Sequence, residues 1–224
     1  MKPRQMLLVL AVAVVIAAGA IFYFLNRAET VLPQTASAVA PAADTTAQSS
    51  DLMQPGPLGD KSLGDPKAPN VVIEYASMTC THCQRFNAEV FKPFKAKYID
   101  TGKVYYIFRD FPLDPLATSA IMLAHCAPPD RFFALVDLLF QKQKDWAFVD
   151  DPKTALFNLM KQAGFTQESF DACLTDQKML DGVNSARDRA ASKLGVAATP
   201  TFFINGKKKE GEQTLEDLDK LLAG

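Results

Sequence analysis

Cys80 and Cys83 lie two residues apart, with Thr81 and His82 between them, directly after a continuous apolar run. That run, residues 71–77, is rich in β-branched side chains, a pattern typical of a buried strand. The residues after Cys83 repeat apolar side chains at helical spacing. The pair therefore falls where a buried strand passes into a helix, and this predicts an α/β arrangement around it.

The position of Cys80 at the start of a helix predicts a reactive thiol. There its sulfur faces unpaired backbone N–H groups and the positive end of the helix dipole. Both favour the thiolate, so we expect a lowered pKa for Cys80, with His82 as a cationic partner. Cys83 lies within the first turn, close enough to form a disulfide with Cys80. Because a stabilised thiolate stabilises the reduced form, the disulfide is expected to be oxidising.

Two other uses of the cysteine pair stay open at this point. Zinc takes four ligands, usually as two nearby pairs, and the remaining candidates are His82, His125, Cys126 and Cys173. A purely structural disulfide across two residues would constrain little of the unfolded chain. Redox chemistry is the preferred interpretation, and it needs neither a metal nor a cofactor.

The N-terminal residues predict a membrane anchor. Residues 6–25 are an uncharged run of 20 residues, preceded by Lys2 and Arg4. At about 1.5 Å per residue this run matches a hydrocarbon core of about 30 Å. The basic residues keep the short N-terminus cytoplasmic and direct the rest outward. A cleaved signal peptide is the alternative, with residues 18–20 as its small-residue site. In both cases we expect a bacterial periplasmic domain, anchored in the inner membrane or soluble after cleavage, where disulfides are permitted.

The remaining sequence predicts a tether and one domain with an insertion. Residues 26–65 are rich in Ala, Pro, Thr, Ser and Gln without apolar periodicity, which predicts a flexible tether. Residues 66–115 and 187–224 read as strand, helix, strand, hairpin and helix, and residues 116–186 as a block of short helices. Asn205–Gly206 is a strong hairpin turn signal, and Thr214 is the candidate N-cap of the last helix.

Three segments together carry a resemblance to a known family: LGDPKAPNVVIEYASMTCTHC, FRDFPLDP and LGVAATPTFFINGK. They resemble the DsbA-like thiol:disulfide oxidoreductases of the thioredoxin superfamily, over about residues 66–224. The resemblance implies a thioredoxin-like fold with an inserted all-helical subdomain. It also implies that the protein introduces disulfides into reduced exported proteins and is reoxidised by a quinone-linked membrane oxidase of the DsbB type.

The resemblance carries over to individual residues. Cys80 matches the cysteine that is attacked and Cys83 the one that resolves. Pro200 matches the cis-proline of the superfamily, which would leave the backbone of Thr199 free to pair with a substrate strand; an ordinary trans-proline is the alternative. Glu74 lies in the apolar strand, where a carboxylate is costly unless paired or protonated. In the family an acidic residue near here assists proton transfer at the inner cysteine; the alternative is a solvent-facing edge position.

Other interpretations of the function also stay open. Thr81 stands where the family's oxidases often have proline, so the oxidant strength is not fixed, and a disulfide isomerase or reductase on the same fold is the nearest alternative. From another class, the chain could be a metal-binding or chaperone-like module without redox activity. Disulfide isomerases of this kind usually dimerise through a separate N-terminal domain. The predicted tether is too short and too polar to be such a domain, so we expect a monomer. A formal net charge of -1 gives no sign of a nucleic acid partner.

Cys126 and Cys173 lie in the predicted helical block, 47 residues apart. Exported proteins rarely keep free thiols, so we expect a structural disulfide between them. A second redox relay is the alternative, although neither cysteine has a partner at CxxC spacing. His125 is expected to be an ordinary core or surface histidine.

Overall fold

The protein is described by a computed structural model that covers residues 51–223. Its centre is one five-stranded sheet with the strand order β1-β3-β2-β4-β5. The strands are β1 Lys61–Leu63, β2 Asn70–Ala76, β3 Val104–Asp110, β4 Thr201–Ile204 and β5 Lys207–Glu210.

Strand β2 occupies the centre of the sheet. It pairs in parallel with β3 on one side and antiparallel with β4 on the other. Its residues 72–76 are buried, with Val72 fully inaccessible and Ile73, on the opposite face, 1% exposed. Burial on both faces explains why this strand is a continuous apolar run rather than an alternating one.

The helix that begins after Cys80 is continuous from residue 81 to residue 99, and we call it α1. It combines α-helical segments, Thr81–Arg85 and Lys92–Phe94, with π-helical segments, Phe86–Phe91 and Lys95–Ile99. Pro93 lies in the short α-helical segment between the two π-helical ones. Since proline cannot donate a backbone hydrogen bond and its ring crowds the preceding turn, wider π turns beside it let the helix continue.

Six α-helices and one short 3₁₀ helix, Pro129–Arg131, follow before the final hairpin, and one α-helix follows it; the α-helices are numbered here. They are α2 Pro115–Cys126, α3 Phe132–Gln141, α4 Gln143–Trp146, α5 Pro152–Gln162, α6 Gln167–Leu174, α7 Gln177–Leu194 and α8 Leu215–Leu222. The thioredoxin-like α/β fold with a helical insertion, expected from the sequence, is confirmed. The expected boundary between residues 186 and 187 falls inside α7, so the insertion has no linker at that point.

The sheet separates two apolar cores. The larger lies between the sheet, α1 and the helical insertion, and includes Cys83, Phe86 and Trp146. The smaller lies on the opposite face, where Ile73 packs with residues of α7 such as Leu194. Glu74 lies on the face of the larger core, because side chains alternate along a strand.

The predicted tether is wrong at its C-terminal end, because residues 51–65 belong to the folded domain. Strand β1 pairs antiparallel with β3. Leu52 is 3% exposed and its carbonyl accepts a hydrogen bond of 2.7 Å from Arg109 Nη1. Arg109 Nε also donates to Asp60 Oδ1 at 2.9 Å. Contacts to a remote strand hold the segment, so its local composition gave no sign of order.

The rest of the predicted tether and the predicted span at residues 6–25 lie outside the described residues. Within residues 51–223, no helix is long and apolar enough to cross a membrane.

Local signals near the C-terminus behave as expected. Asn205 and Gly206 have φ angles of 49° and 80°, as a tight hairpin turn requires. The Thr214 side chain accepts from the backbone N–H of Asp217, whose carboxylate accepts in return from the Thr214 N–H. This reciprocal cap starts α8.

Candidate active site

Cys80 caps the N-terminus of α1. Its backbone is extended, with φ -76° and ψ 120°, and its Sγ accepts a hydrogen bond of 3.4 Å from the Cys83 N–H. Cys80 is 7% exposed whereas Cys83 is fully buried, and both are free thiols in the structure. An incoming thiolate can therefore reach the Cys80 sulfur but not that of Cys83.

The loop before β4 lies beside the Cys80 sulfur. The Thr199–Pro200 peptide bond is cis. The Thr199 carbonyl oxygen is 3.2 Å from Cys80 Sγ and accepts a hydrogen bond from the protonated thiol. The fold thus brings Cys80 together with Thr199 and Pro200, from two distant parts of the sequence, at one end of the sheet.

Hydrogen bonds lower the pKa of Cys80 to about 5. The largest cause is a hydrogen bond from the Cys83 thiol; partial burial opposes it, and the Thr199 side chain and the backbone N–H groups of Cys83 and His82 lower the pKa further. Burial, followed by that same hydrogen bond, raises the pKa of Cys83 well above its ordinary value. The pair therefore divides into a thiolate that is partly accessible and a thiol that is fully buried.

His82 does not have the role expected of its side chain. Its imidazole is 59% exposed, and Nδ1 lies 3.2 Å from Glu212 Oε2 and 2.9 Å from Arg85 Nη2. The contribution of His82 to the low pKa of Cys80 comes instead from its backbone N–H at the helix start. The expectation missed this because Glu212, which draws the ring away, lies 130 residues along the chain.

Glu74 is buried in the central strand, 2% exposed, so a solvent-facing edge position is wrong. Its Oε2 accepts a hydrogen bond of 2.5 Å from the Tyr106 hydroxyl on β3. Burial raises the pKa of Glu74 to about 8, opposed by that hydrogen bond, and the charge of Cys80 raises it further. Glu74 in turn raises the pKa of Cys83. The carboxyl group is therefore coupled to both cysteines and can hold a proton at neutral pH.

We expect Glu74→Gln to stabilise the folded protein at pH 7 but not at pH 4. The pKa of Glu74 is 4.5 without burial and about 8 in the fold, so between these values the unfolded chain releases a proton that the folded one keeps. The cost to folding is absent below pH 4.5 and grows as pH rises toward 8. At about 1.4 kcal/mol per pH unit it reaches up to about 3 kcal/mol at pH 7. Urea unfolding of the reduced protein at both pH values measures this.

Glu89→Gln is the matched control for this prediction, because Glu89 is exposed on α1. It should leave the unfolding free energy nearly unchanged at both pH values. If Glu74→Gln and the wild type lose stability in parallel between pH 4 and pH 7, the raised pKa of Glu74 is wrong.

Sequence reasoning missed two residues of the site, Tyr106 and Gln143. Tyr106 is the partner of Glu74, and the only available signal was the predicted neighbouring strand. Gln143 is 2% exposed, and its Nε2 donates to the carbonyl oxygens of Met78 at 2.8 Å and Cys80 at 3.0 Å. A glutamine in a polar stretch of the helical block gave no signal of such a contact.

The candidate metal ligands have other partners. Cys126 and Cys173 form a disulfide, with Cα atoms 6.1 Å apart, that joins the end of α2 to α6. His125 Nε2 lies 2.7 Å from Asp110 Oδ2 in a buried pair. Within residues 51–223, no three His, Cys, Asp or Glu side chains come together as metal ligands would. Cys126, Cys173 and His125 are therefore engaged with one another or with Asp110 in this structure.

Comparison with known proteins places this site in a family. A family model described as Thioredoxin matches residues 58–223. A Rickettsia typhi protein that carries the name protein-disulfide oxidoreductase is 30% identical over 152 residues, which are 67% of this chain and 56% of that protein. The chain thus spans little more than half the length of this curated relative.

Solved structures show the same likeness over nearly their whole length. The crystal structure of Wolbachia pipientis alpha-DsbA1 is 38% identical with a TM-score of 0.70, covering 77% of this chain and 93% of that one. Oxidised BdbD from Bacillus subtilis has a TM-score of 0.61 at 23% identity, covering 76% of this chain and 97% of that one, which shows the shared fold. The fold, the CxxC helix start and these matches lead to one conclusion: the chain belongs to the DsbA-like group of the thioredoxin superfamily.

Proposed function

We propose that the protein is a thiol:disulfide oxidoreductase that introduces disulfides into exported proteins through Cys80 and Cys83. One observation carries this proposal: the Cys80 sulfur caps α1 among hydrogen-bond donors that lower its pKa to about 5. A thiolate that stable is a good leaving group, and it favours the reduced form of the pair. The protein then passes its disulfide to other thiols rather than holding it.

The reaction begins with the protein in its disulfide form. A substrate thiolate attacks the Cys80 sulfur, the only one of the pair that is not fully buried. A bond forms between the substrate sulfur and Cys80, the Cys80–Cys83 bond breaks, and its electron pair leaves on Cys83. Because burial raises the pKa of Cys83, that sulfur takes up a proton. Glu74, which keeps its own proton until about pH 8, is coupled to Cys83 and is our proposed donor.

The second step completes the transfer. A second thiolate of the substrate attacks the substrate sulfur in the mixed disulfide, and Cys80 leaves as a thiolate. The substrate has lost two electrons and now holds a disulfide, and the protein holds the dithiol. The low pKa of Cys80 makes it the better leaving group of the two sulfurs in the mixed disulfide.

Substrate docking, location and recycling complete the proposal. The backbone of Thr199, beside the sulfur and before Pro200, is the proposed place where an extended substrate segment pairs with the enzyme. Residues 6–25 would anchor a monomeric domain to the bacterial inner membrane, facing the periplasm, or be removed as a signal peptide. A quinone-linked DsbB-type oxidase would restore the Cys80–Cys83 disulfide.

Stoichiometric disulfide transfer tests this function. The oxidised protein is mixed with an unfolded, fully reduced protein that has two cysteines, and products are quenched by acid and alkylation. We expect one substrate disulfide per protein molecule, with Cys80 and Cys83 both recovered as thiols. A protein that leaves this substrate reduced, yet rearranges scrambled disulfides when supplied as the dithiol, would be an isomerase instead.

A further inference from the structure

We propose that Gln143 is a positioning residue, whose carboxamide clamps the loop before α1 so that the helix N-terminus faces the Cys80 sulfur. This inference rests on the proposed function, and it concerns a residue that acts on the Cys80 sulfur through the backbone around it. Gln143 is the first residue of α4, in the helical insertion, 63 residues along the chain from Cys80. It is nearly inaccessible to water, with 2% exposure.

The clamp consists of two hydrogen bonds from one nitrogen. Gln143 Nε2 donates to the Met78 carbonyl at 2.8 Å and to the Cys80 carbonyl at 3.0 Å. Both acceptors are carbonyl oxygens, so only the amide nitrogen, which has two N–H groups, fits this site. The two carbonyls flank Thr79 and are held toward the same point.

The bond to the Cys80 carbonyl fixes the peptide plane that follows the residue carrying the sulfur, and the bond to the Met78 carbonyl fixes the plane between Met78 and Thr79. The peptide plane that precedes Cys80 is held by the Cys80 N–H, which donates to the Ser77 carbonyl oxygen at 3.1 Å and closes the loop between β2 and α1. The Cys80 carbonyl additionally accepts the first helical hydrogen bond, from Gln84 at 3.1 Å. With both planes fixed, the backbone angles of Cys80 and the direction of its side chain are set relative to the helix. The Cys83 N–H then meets Sγ at 3.4 Å.

Through this clamp the helical insertion contributes to the chemistry of the cysteine pair. When Cys80 becomes a thiolate, its charge is stabilised by N–H groups whose direction the Gln143 clamp maintains. Without the clamp those groups would no longer be held on the sulfur, and the thiolate would lose part of this stabilisation relative to the thiol or the disulfide.

Gln143→Met tests the inference, because methionine keeps the length and shape of the side chain and removes both donors. In the full chain, the pKa of Cys80 is read from thiolate absorbance at about 240 nm. We expect Gln143→Met to lower the ionisation constant about tenfold, so that the pKa rises above its wild-type value of about 5. The equilibrium constant for oxidising glutathione should fall by a similar factor. Gln141→Met is the matched control, since Gln141 is exposed and its amide bonds Asp137 at 2.6 Å.

Stability measurements separate positioning from simple support of the fold. If Gln143 positions the thiolate, Gln143→Met destabilises the reduced protein more than the oxidised one at neutral pH, by the same factor as the change in redox equilibrium. An equal loss in both forms with an unchanged pKa of Cys80 would overturn the inference. If Gln143→Met does not fold, Gln143→Asn, which keeps a neutral amide with a shorter reach, should raise the pKa of Cys80 by less; no rise would also overturn it.

The outcomes also separate this inference from the proposed function. A wild-type pKa of Cys80 near 8.5, the ordinary value of a free thiol, would contradict the proposed function itself. A low wild-type pKa that Gln143→Met leaves in place would contradict only the role of Gln143.

Discussion

Cys80→Ala is expected to abolish disulfide transfer, leaving no rate above the reaction without protein. Cys80 carries the only sulfur of the pair that an incoming thiolate can reach, because Cys83 is fully buried. Cys83→Ala cannot form the Cys80–Cys83 disulfide, so it should also fail to donate one, but it should carry the reverse reaction halfway. Its Cys80 thiolate still attacks a peptide disulfide and forms a mixed disulfide, but no second sulfur is present to resolve it.

Mass spectrometry under acid conditions measures both outcomes, with the adduct on Cys80 expected in Cys83→Ala and none in Cys80→Ala. Cys83→Ala should also raise the pKa of Cys80, because the Cys83 thiol is the largest cause of its low value. Transfer that survives in Cys80→Ala, or adducts that form on Cys83, would reverse the assignment of the two cysteines.

Replacing Cys126 and Cys173 together by alanine is expected to cost about 4 kcal/mol of unfolding free energy. The bond closes a 47-residue separation, and in the chain-entropy model such a closure restricts the unfolded chain by about that amount. It also fixes α6 to the end of α2, with Cys173 buried at 4% exposure. Urea unfolding of the oxidised proteins, with and without the bond, measures the loss.

The same variant separates a structural disulfide from a redox relay. With the folded fraction held equal, transfer through Cys80 should continue at the wild-type rate, since the Cys126–Cys173 bond takes no part in the exchange. A stability loss below about 1 kcal/mol, or a transfer rate that collapses in the folded variant, would show that the bond is not simply structural.

Local patterns predicted much of the fold. The apolar run of β2, the helix start at Cys80 and the Asn205–Gly206 turn are each set by neighbours in the chain, so spacing and residue type were enough. The order of the elements indicated an α/β arrangement with a helical insertion. The thioredoxin-like fold itself was implied by the resemblance to the DsbA-like family.

Long-range polar contacts could not be predicted in the same way. Residues 51–65 looked like a tether because their order depends on Arg109, far along the chain on β3. The imidazole of His82 faces Glu212, and the carboxamide of Gln143 reaches the loop before α1, each across more than sixty residues. No local periodicity marks such partners. They affect the electrostatics of the site more than they affect its backbone framework.

The reduction potential of the Cys80–Cys83 pair tests the central claim most directly. The protein is equilibrated with reduced and oxidised glutathione at pH 7, and the fraction of each form is read after acid quenching and alkylation. Because the pKa of Cys80 is lowered to about 5, stabilising the reduced form, we predict a potential less negative than about -180 mV, on the oxidising side of protein disulfide isomerase. A potential near -270 mV, in the range of the reductant thioredoxin, would contradict the account.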